Sequence, residues 1–200
     1  ALEGLAPQIE AYAELIVRKG IAVQKGQEVV VNSPVERADF ARIVVKKAYE
    51  AGAGHVTVIW ADDQMSRLEY QNVDIDYFKH VPAWKREQLN GLAEDGACFL
   101  FLEGSDPSIF DGIDPKKPAA ARFARNTECM AFRDGMDFGR NAWCIAGVPV
   151  EAWAKKVFPE TDGVEPIYKM WLAILSAARA DGADPQSDWE THNAAFEKNK

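Results

Sequence analysis

Histidine and cysteine are scarce in this sequence of 200 residues, with three of each, and the scarcity removes several kinds of chemistry. Cys98, Cys129 and Cys144 are odd in number and match no zinc-binding spacing. Cys98 and Cys144 lie inside the apolar runs ACFLFL and AWCIAG, where a buried, inert thiol is expected. That usage implies a reducing compartment, so the expected location is cytoplasmic. His55, His80 and His192 form no H-E-x-x-H pattern. Asp76 with His80, and Asp188 with His192, have the i, i+4 spacing that places two ligands on one helix face. Two ligands do not make a metal site, and both pairs read as helix-surface pairings.

Other signatures are missing too. No G-x-S-x-G elbow exists to present a serine nucleophile. No Walker sequence is present. After the first predicted strand the text is NSPVERADF, without the glycines that let a pyrophosphate approach the backbone. Gly52-Ala53-Gly54 precedes a strand and reads as a helix stop and turn. No apolar run is long enough to span a bilayer. The opening ALEGLAPQIE has neither a basic segment nor an apolar one, which argues against a signal peptide. It begins without Met, so a processed or cut chain is expected. Positive charge is also short: 23 Lys and Arg against 31 Asp and Glu, a net charge of −8, with a pI near 5.0. Such a chain repels phosphate backbones and anionic lipid surfaces, so neither nucleic acid nor membrane is an expected partner. The pairs Lys46-Lys47, Lys116-Lys117 and Lys155-Lys156 are isolated and build no basic face.

What is present is an ordinary globular composition, 48% hydrophobic and 27% charged, in which strand and helix text alternate. A helix is predicted over 5–19, with Ile9, Tyr12, Ile16 and Lys19 on one face and Gly20 as its stop. Strands are predicted at 27–31, 55–60, 97–102 and 143–147, apolar throughout as coverage on both faces demands. Helices fill 35–51, 65–72, 75–80, 84–94, 116–130, 151–158, 164–180 and 184 to the end. Asp184-Pro185 is the start signal of the last one. It runs out at Glu197-Lys198-Asn199-Lys200 with no Gly or Pro stop, as expected of a chain cut at a domain boundary. The alternation predicts a three-layer, Rossmann-like α/β domain spanning residues 1–200. Its sheet is mostly parallel, with about four or more strands and helices on both faces.

In such sheets ligands bind at the carboxyl ends of the strands. The polar and aromatic candidates there are Ser33, Trp60, Asp62 and Glu103. Ser33, Asp62, Asp63 and Asp106 also stand where a helix N-cap is expected, and capping is the preferred reading. Glu103 ends a buried strand; a cap, an ion pair or an interdomain contact is preferred for it over general-base duty. Trp84, Trp153, Trp171 and Trp189 fall on predicted helices and are expected to fill gaps against the sheet or a neighbouring domain. No catalytic residue and no metal ligand is assigned to this chain.

Several long stretches carry a resemblance. They are YAELIVRKGIAVQKGQEVVVNSPVERADFARIVVKKAYEAGAGHVTVIWADDQMSRLEY, VPAWKREQLNGLAEDGACFLFLEGSDP, VEAWAKKVFP and LAILSAARADGADPQSDWETHN. In this order they resemble the N-terminal half of the aminopeptidase T/aminopeptidase S family, over essentially the whole chain. The least familiar stretch is CMAFRDGMDFG, Cys129 to Gly139. The resemblance implies removal of N-terminal residues from peptides by two divalent metals, of zinc, cobalt or manganese type, that activate water and polarise the scissile carbonyl. It places their glutamate, histidine and aspartate ligands in a second domain after residue 200. It also implies a homodimer enclosing the active sites, with this domain walling the chamber and inactive alone. A tryptophan-rich face, buried in the whole enzyme, is then expected to be exposed here. The alternatives kept open are a stand-alone Rossmann-like module binding a small acidic or peptidic ligand near Ser33, Asp62 and Glu103, and a purely structural oligomerisation domain.

Overall fold

Three consecutive valines, Val29 to Val31, are each fully buried and form the middle of the sheet around which everything else is arranged. In the computed structural model, which describes residues 2–197, the strands are β1 (Glu28–Pro34), β2 (His55–Ala61), β3 (Cys98–Glu103) and β4 (Trp143–Gly147). All pairings are parallel and the order is β2-β1-β3-β4. The helices are α1 (Ala6–Leu15), α2 (Ala38–Glu50), α3 (Asp63–Asn72), α4 (Ala83–Glu94), α5 (Lys116–Glu128), α6 (Met130–Asp137), α7 (Glu151–Val157), α8 (Glu165–Ala177) and α9 (Pro185–Glu197).

The alternation of side chains along a strand sorts the core into two layers. Val29, Val31, Cys98, Leu100 and Ala146 point to one face and pack with α1, α2 and α8. Tyr12, Phe40 and Trp171 meet there, with Phe40 stacked on Tyr12 at 5.7 Å and edge-on to Trp171 at 5.3 Å. Val30 and Phe99 point the other way, onto Ala93 of α4, Phe132 of α6 and Cys129 just before it. The middles of the central strands, Val29 to Val31 of β1 and Cys98 to Leu102 of β3, are therefore apolar on both faces. The edge strands depart from that expectation: Trp60 on β2 and Trp143 and Ile145 on β4 are exposed, because each edge strand has a neighbour on only one side and less helix above it.

Four local expectations are corrected. The first helix ends in a π-turn over Ile16–Gly20, closed by the Ile21 N–H on the Ile16 carbonyl at 2.9 Å. The wider turn shifts the face, so Val17 is buried while Lys19 faces out and pairs with Glu190 at 2.6 Å. The segment 116–130 is not one helix. It breaks at the fully buried Cys129 (φ −99, ψ 56), and the Asn90 side chain spans the break, donating to the Glu128 carbonyl and accepting from the Phe132 N–H. Residues 75–79 form a 3-10 helix with His80 extended beyond it, so Asp76 and His80 share no α-helical face. The tighter turn eclipses i and i+3 instead, and Asp76 pairs with Lys79. Finally, the exposed tryptophans make no single face. Trp60 and Trp143 lie on opposite edges of the sheet, and in the pairing register they align with Ser33 and Phe99, which point to opposite faces.

Two glycines are required by close approach. A Cβ on Gly54 would run into the Gly26 carbonyl, and one on Gly104 into the Val148 carbonyl. The Gly52–Gly54 turn thus pins the start of β2 against the loop before β1, through Gly26 N–H to Gly52 O at 2.7 Å and Gly54 N–H to Gln27 O at 2.8 Å.

Candidate functional site

From β1 the chain moves outward to β2, returns across β1 to β3, and continues to β4, so the topological switch point lies between β1 and β3. Crevices open beyond the carboxyl ends of strands at such a point. All four sequence candidates lie at that end of the sheet, but the fold uses them differently.

Ser33 is 1% exposed. Its hydroxyl donates to the Pro34 carbonyl at 3.1 Å and caps nothing, because β1 runs on to Pro34 and the helical turn begins beyond its reach. Trp60 stands opposite Ser33 in the register and is half-exposed on the edge strand. Asp62 is a true N-cap, accepting the Met65 N–H at 3.0 Å. Asp63 is inside α3 and accepts the Asp106 N–H at 2.8 Å, tying α3 to the loop after β3. Asp106 in turn accepts the Ser108 N–H at 2.8 Å, so it orders a turn rather than a helix. Glu103 projects an exposed carboxylate from the end of β3.

Of the four, Glu103 alone lines a cleft of about 900 Å³. The walls come from segments that sequence reasoning did not connect: Tyr70 on α3, Tyr77 and Phe78 on the 3-10 turn, Trp84 on α4, Phe110 on the loop after β3, and Arg122 and Arg125 on α5. Tyr70 stacks on Phe78 at 4.7 Å and meets Phe110 edge-on at 5.6 Å. Arg67 holds the Phe110 loop against α3 by donating to the carbonyls of Ile109 (2.5 Å) and Asp111 (2.8 Å). Lys117 ties α5 to the Tyr70 carbonyl at 2.7 Å. The remaining corner is set by Glu128, which accepts from the Val81 N–H at 3.2 Å and pairs with His80 at 3.1 Å and Arg86 at 3.4 Å.

The electrostatics follow from these contacts. Partial burial acts to raise the Glu128 carboxyl, but the Val81 N–H, His80 and Arg86 outweigh it and hold the group below its usual range. Burial raises the Tyr70 phenol, Glu69 adds to the rise, and Arg122 opposes it. The one signal in the sequence that could have found this cleft is Arg122 and Arg125, three apart in an alanine-rich helix, with Arg122 lacking an acidic residue at helical spacing.

Among the described residues no group of three or more His, Cys, Asp or Glu could hold an ion. His55 is taken by Glu28 at 3.0 Å, His80 by Glu128, and His192 by Arg179 at 3.2 Å. The thiols are shielded: burial raises Cys98 to about 11 and also raises Cys129 and Cys144. No helix among the described residues is long and apolar enough to cross a membrane.

Residues 5–200 match the thermophilic metalloprotease (M29) family. Aminopeptidase AmpS of Bacillus subtilis is 35% identical over 192 residues, covering 96% of this chain and 47% of its own length. Aminopeptidase T of Thermus thermophilus is 33% identical over 195 residues, covering 98% and 48%. The solved structure of wild-type AmpT from Thermus thermophilus superposes with a TM-score of 0.85 at 32% identity, over 99% of this chain and 48% of that one. The chain thus spans about half the length of the curated relatives it matches.

Proposed function

Because the chain belongs to the thermophilic metalloprotease (M29) family, we propose that it is the N-terminal, non-catalytic half of a metallo-aminopeptidase that releases N-terminal amino acids from peptides. The observation that carries this reading is the coverage: 96% of this chain aligns with 47% of an aminopeptidase. Two divalent ions, of zinc, cobalt or manganese type, belong to a catalytic domain following residue 200. The residues of this chain do not fit them, since each histidine is committed to one carboxylate or one arginine.

The work left to this half is positioning and enclosure. A sheet covered by helices, with Val29 to Val31 of β1 and Cys98 to Leu100 of β3 fully buried, makes a rigid wall. Its strand ends present Trp60, Asp62 and Glu103 toward the chamber, while Ser33, opposite Trp60 in the register, is buried. The whole enzyme is a cytoplasmic homodimer in this reading, and the chamber wall limits access to short peptides. The reading is tested by incubating the protease-free 200-residue chain with cobalt, zinc or manganese and an amino-acid anilide, beside the protein in full. Metal-dependent release by the full protein and none by the chain is expected; turnover by the chain alone overturns the assignment.

A further inference from the structure

We propose that the cleft between α3, α4 and α5 is a peptide subsite that takes the C-terminal carboxylate end of a short peptide. This deepens the aminopeptidase reading and rests on it for the class of ligand, but the arguments for the cleft are its own.

The first argument is charge. In a chain of net charge −8, this concavity gathers Lys85, Arg122 and Arg125 against two carboxylates, Glu69 and Glu103. None of the three cations forms an ion pair with a carboxylate among the described residues. The nearby anion is already committed: Glu128 is held by His80, Arg86 and the Val81 N–H. Arg125 rests over the Phe132 ring at 5.7 Å, which fixes its guanidinium while leaving its donors free. Arg122 and Arg125 are three apart on α5 and so project from one face. Two guanidinium groups lining one cleft suit a carboxylate, which accepts paired N–H donors.

Size and lining point the same way. About 900 Å³ lies at the upper end of the range for small-ligand sites, roughly 300–1,000 Å³, and far exceeds a single amino acid. Tyr70, Trp84 and Phe110 supply aromatic faces, and Trp84 is 68% exposed. A solvated tryptophan beside unneutralised arginines suits a ligand with an apolar body and an anionic end. The walls are braced by Arg67, Lys117 and Glu128 through the contacts described above, so the cleft is preformed. A peptide hydrolysed from its amino end keeps its free carboxylate through every turnover, which makes that terminus the constant feature to hold.

The test is calorimetric titration of the 200-residue chain, at low salt, with Ala-Ala-Ala-Phe as the free acid and as its C-terminal amide. The acid is expected to bind at least tenfold more tightly, with the preference lost in the R122Q/R125Q double variant and kept in R18Q, whose site is remote from the cleft. Both arginines are exposed, and circular dichroism is expected to show both variants folded. Equal binding of acid and amide, binding of neither, or an unchanged preference in R122Q/R125Q overturns the subsite. Anilide hydrolysis by the full protein involves no peptide carboxylate and reports separately on the aminopeptidase reading. A preserved acid preference with no anilide turnover removes that reading and leaves the carboxylate site standing.

Discussion

Gly135 and Asn141 are built around each other. The Asn141 N–H donates to the Gly135 carbonyl at 2.8 Å, and the Asn141 Oδ1 occupies the space that a Cβ on Gly135 would need. From that position the buried Asn141 amide donates to the carbonyls of Ala93 (3.0 Å) and Ala97 (2.8 Å), which binds the end of α4 and the start of β3 to the loop before β4. N141A removes the donor that joins the two carbonyls, of which Ala93 keeps the Gly96 N–H at 3.1 Å, and is expected to cost about 1–3 kcal/mol. G135A forces an overlap and is expected to cost about 1–3 kcal/mol. In the G135A/N141A double variant the overlap is gone, so urea denaturation should give less than the sum of the two losses.

The Tyr12–Phe40–Trp171 cluster is the heart of the other layer. Phe40 is 1% exposed and in contact with both partners. F40A is expected to cost about 3–5 kcal/mol through lost burial and the cavity left behind, measured by the same denaturation. The near-ultraviolet circular dichroism of Trp171 should weaken with it. A loss below about 1 kcal/mol would mean that the layer repacks freely.

The cleft corner held by Glu128 makes part of the stability acid-sensitive. A carboxyl lowered from its ordinary value of 4.5 in the folded state contributes stability that is fully present above that value. The contribution is lost as pH falls through the lower, folded value, because the unfolded chain then binds the extra proton first. The acid limb of a stability–pH curve should therefore be shallower in E128Q than in the parent below pH 4.5, with the two curves parallel near neutrality. An acid limb unchanged by E128Q contradicts the assignment.

Thiol chemistry follows burial. With Cys98 and Cys129 fully enclosed, Cys144 largely so, and all three raised above their ordinary range, the native chain should react with a disulfide reagent at pH 8 far more slowly than a free thiol. All three should titrate at once in denaturant. Rapid native labelling of Cys98 would show that the sheet opens locally.

The succession of strands and helices along the chain is legible, though not the order of strands in the sheet, because the middles of β1 and β3 are apolar on both faces and are followed by Asn-Ser-Pro and Gly-Ser-Asp-Pro. Those patterns depend only on neighbours in the chain. Three features were not legible for the opposite reason. The π-turn at Ile16–Gly20 answers to packing: a Cβ on Gly20 would stand 2.8 Å from the Cys144 sulfur of β4, a constraint from 124 positions away. The break at Cys129 depends on Asn90 lying across it. The cleft draws its walls from α3, α4, α5 and two connecting segments, so no local window contains it. Glu103 was found because strand ends are where such sheets bind ligands, whereas Tyr70, Trp84, Arg122 and Arg125 became neighbours only through tertiary folding.

We propose that the hydrolytic chemistry lies outside these 200 residues. Calorimetric titration of the purified chain with zinc, cobalt and manganese, with release of an amino-acid anilide followed in the same samples, tests it most directly. No stoichiometric metal binding and no turnover are expected. Tight binding of two ions per chain, with metal-dependent hydrolysis, would contradict it and would place the active site among the histidines and carboxylates that this fold commits to structure.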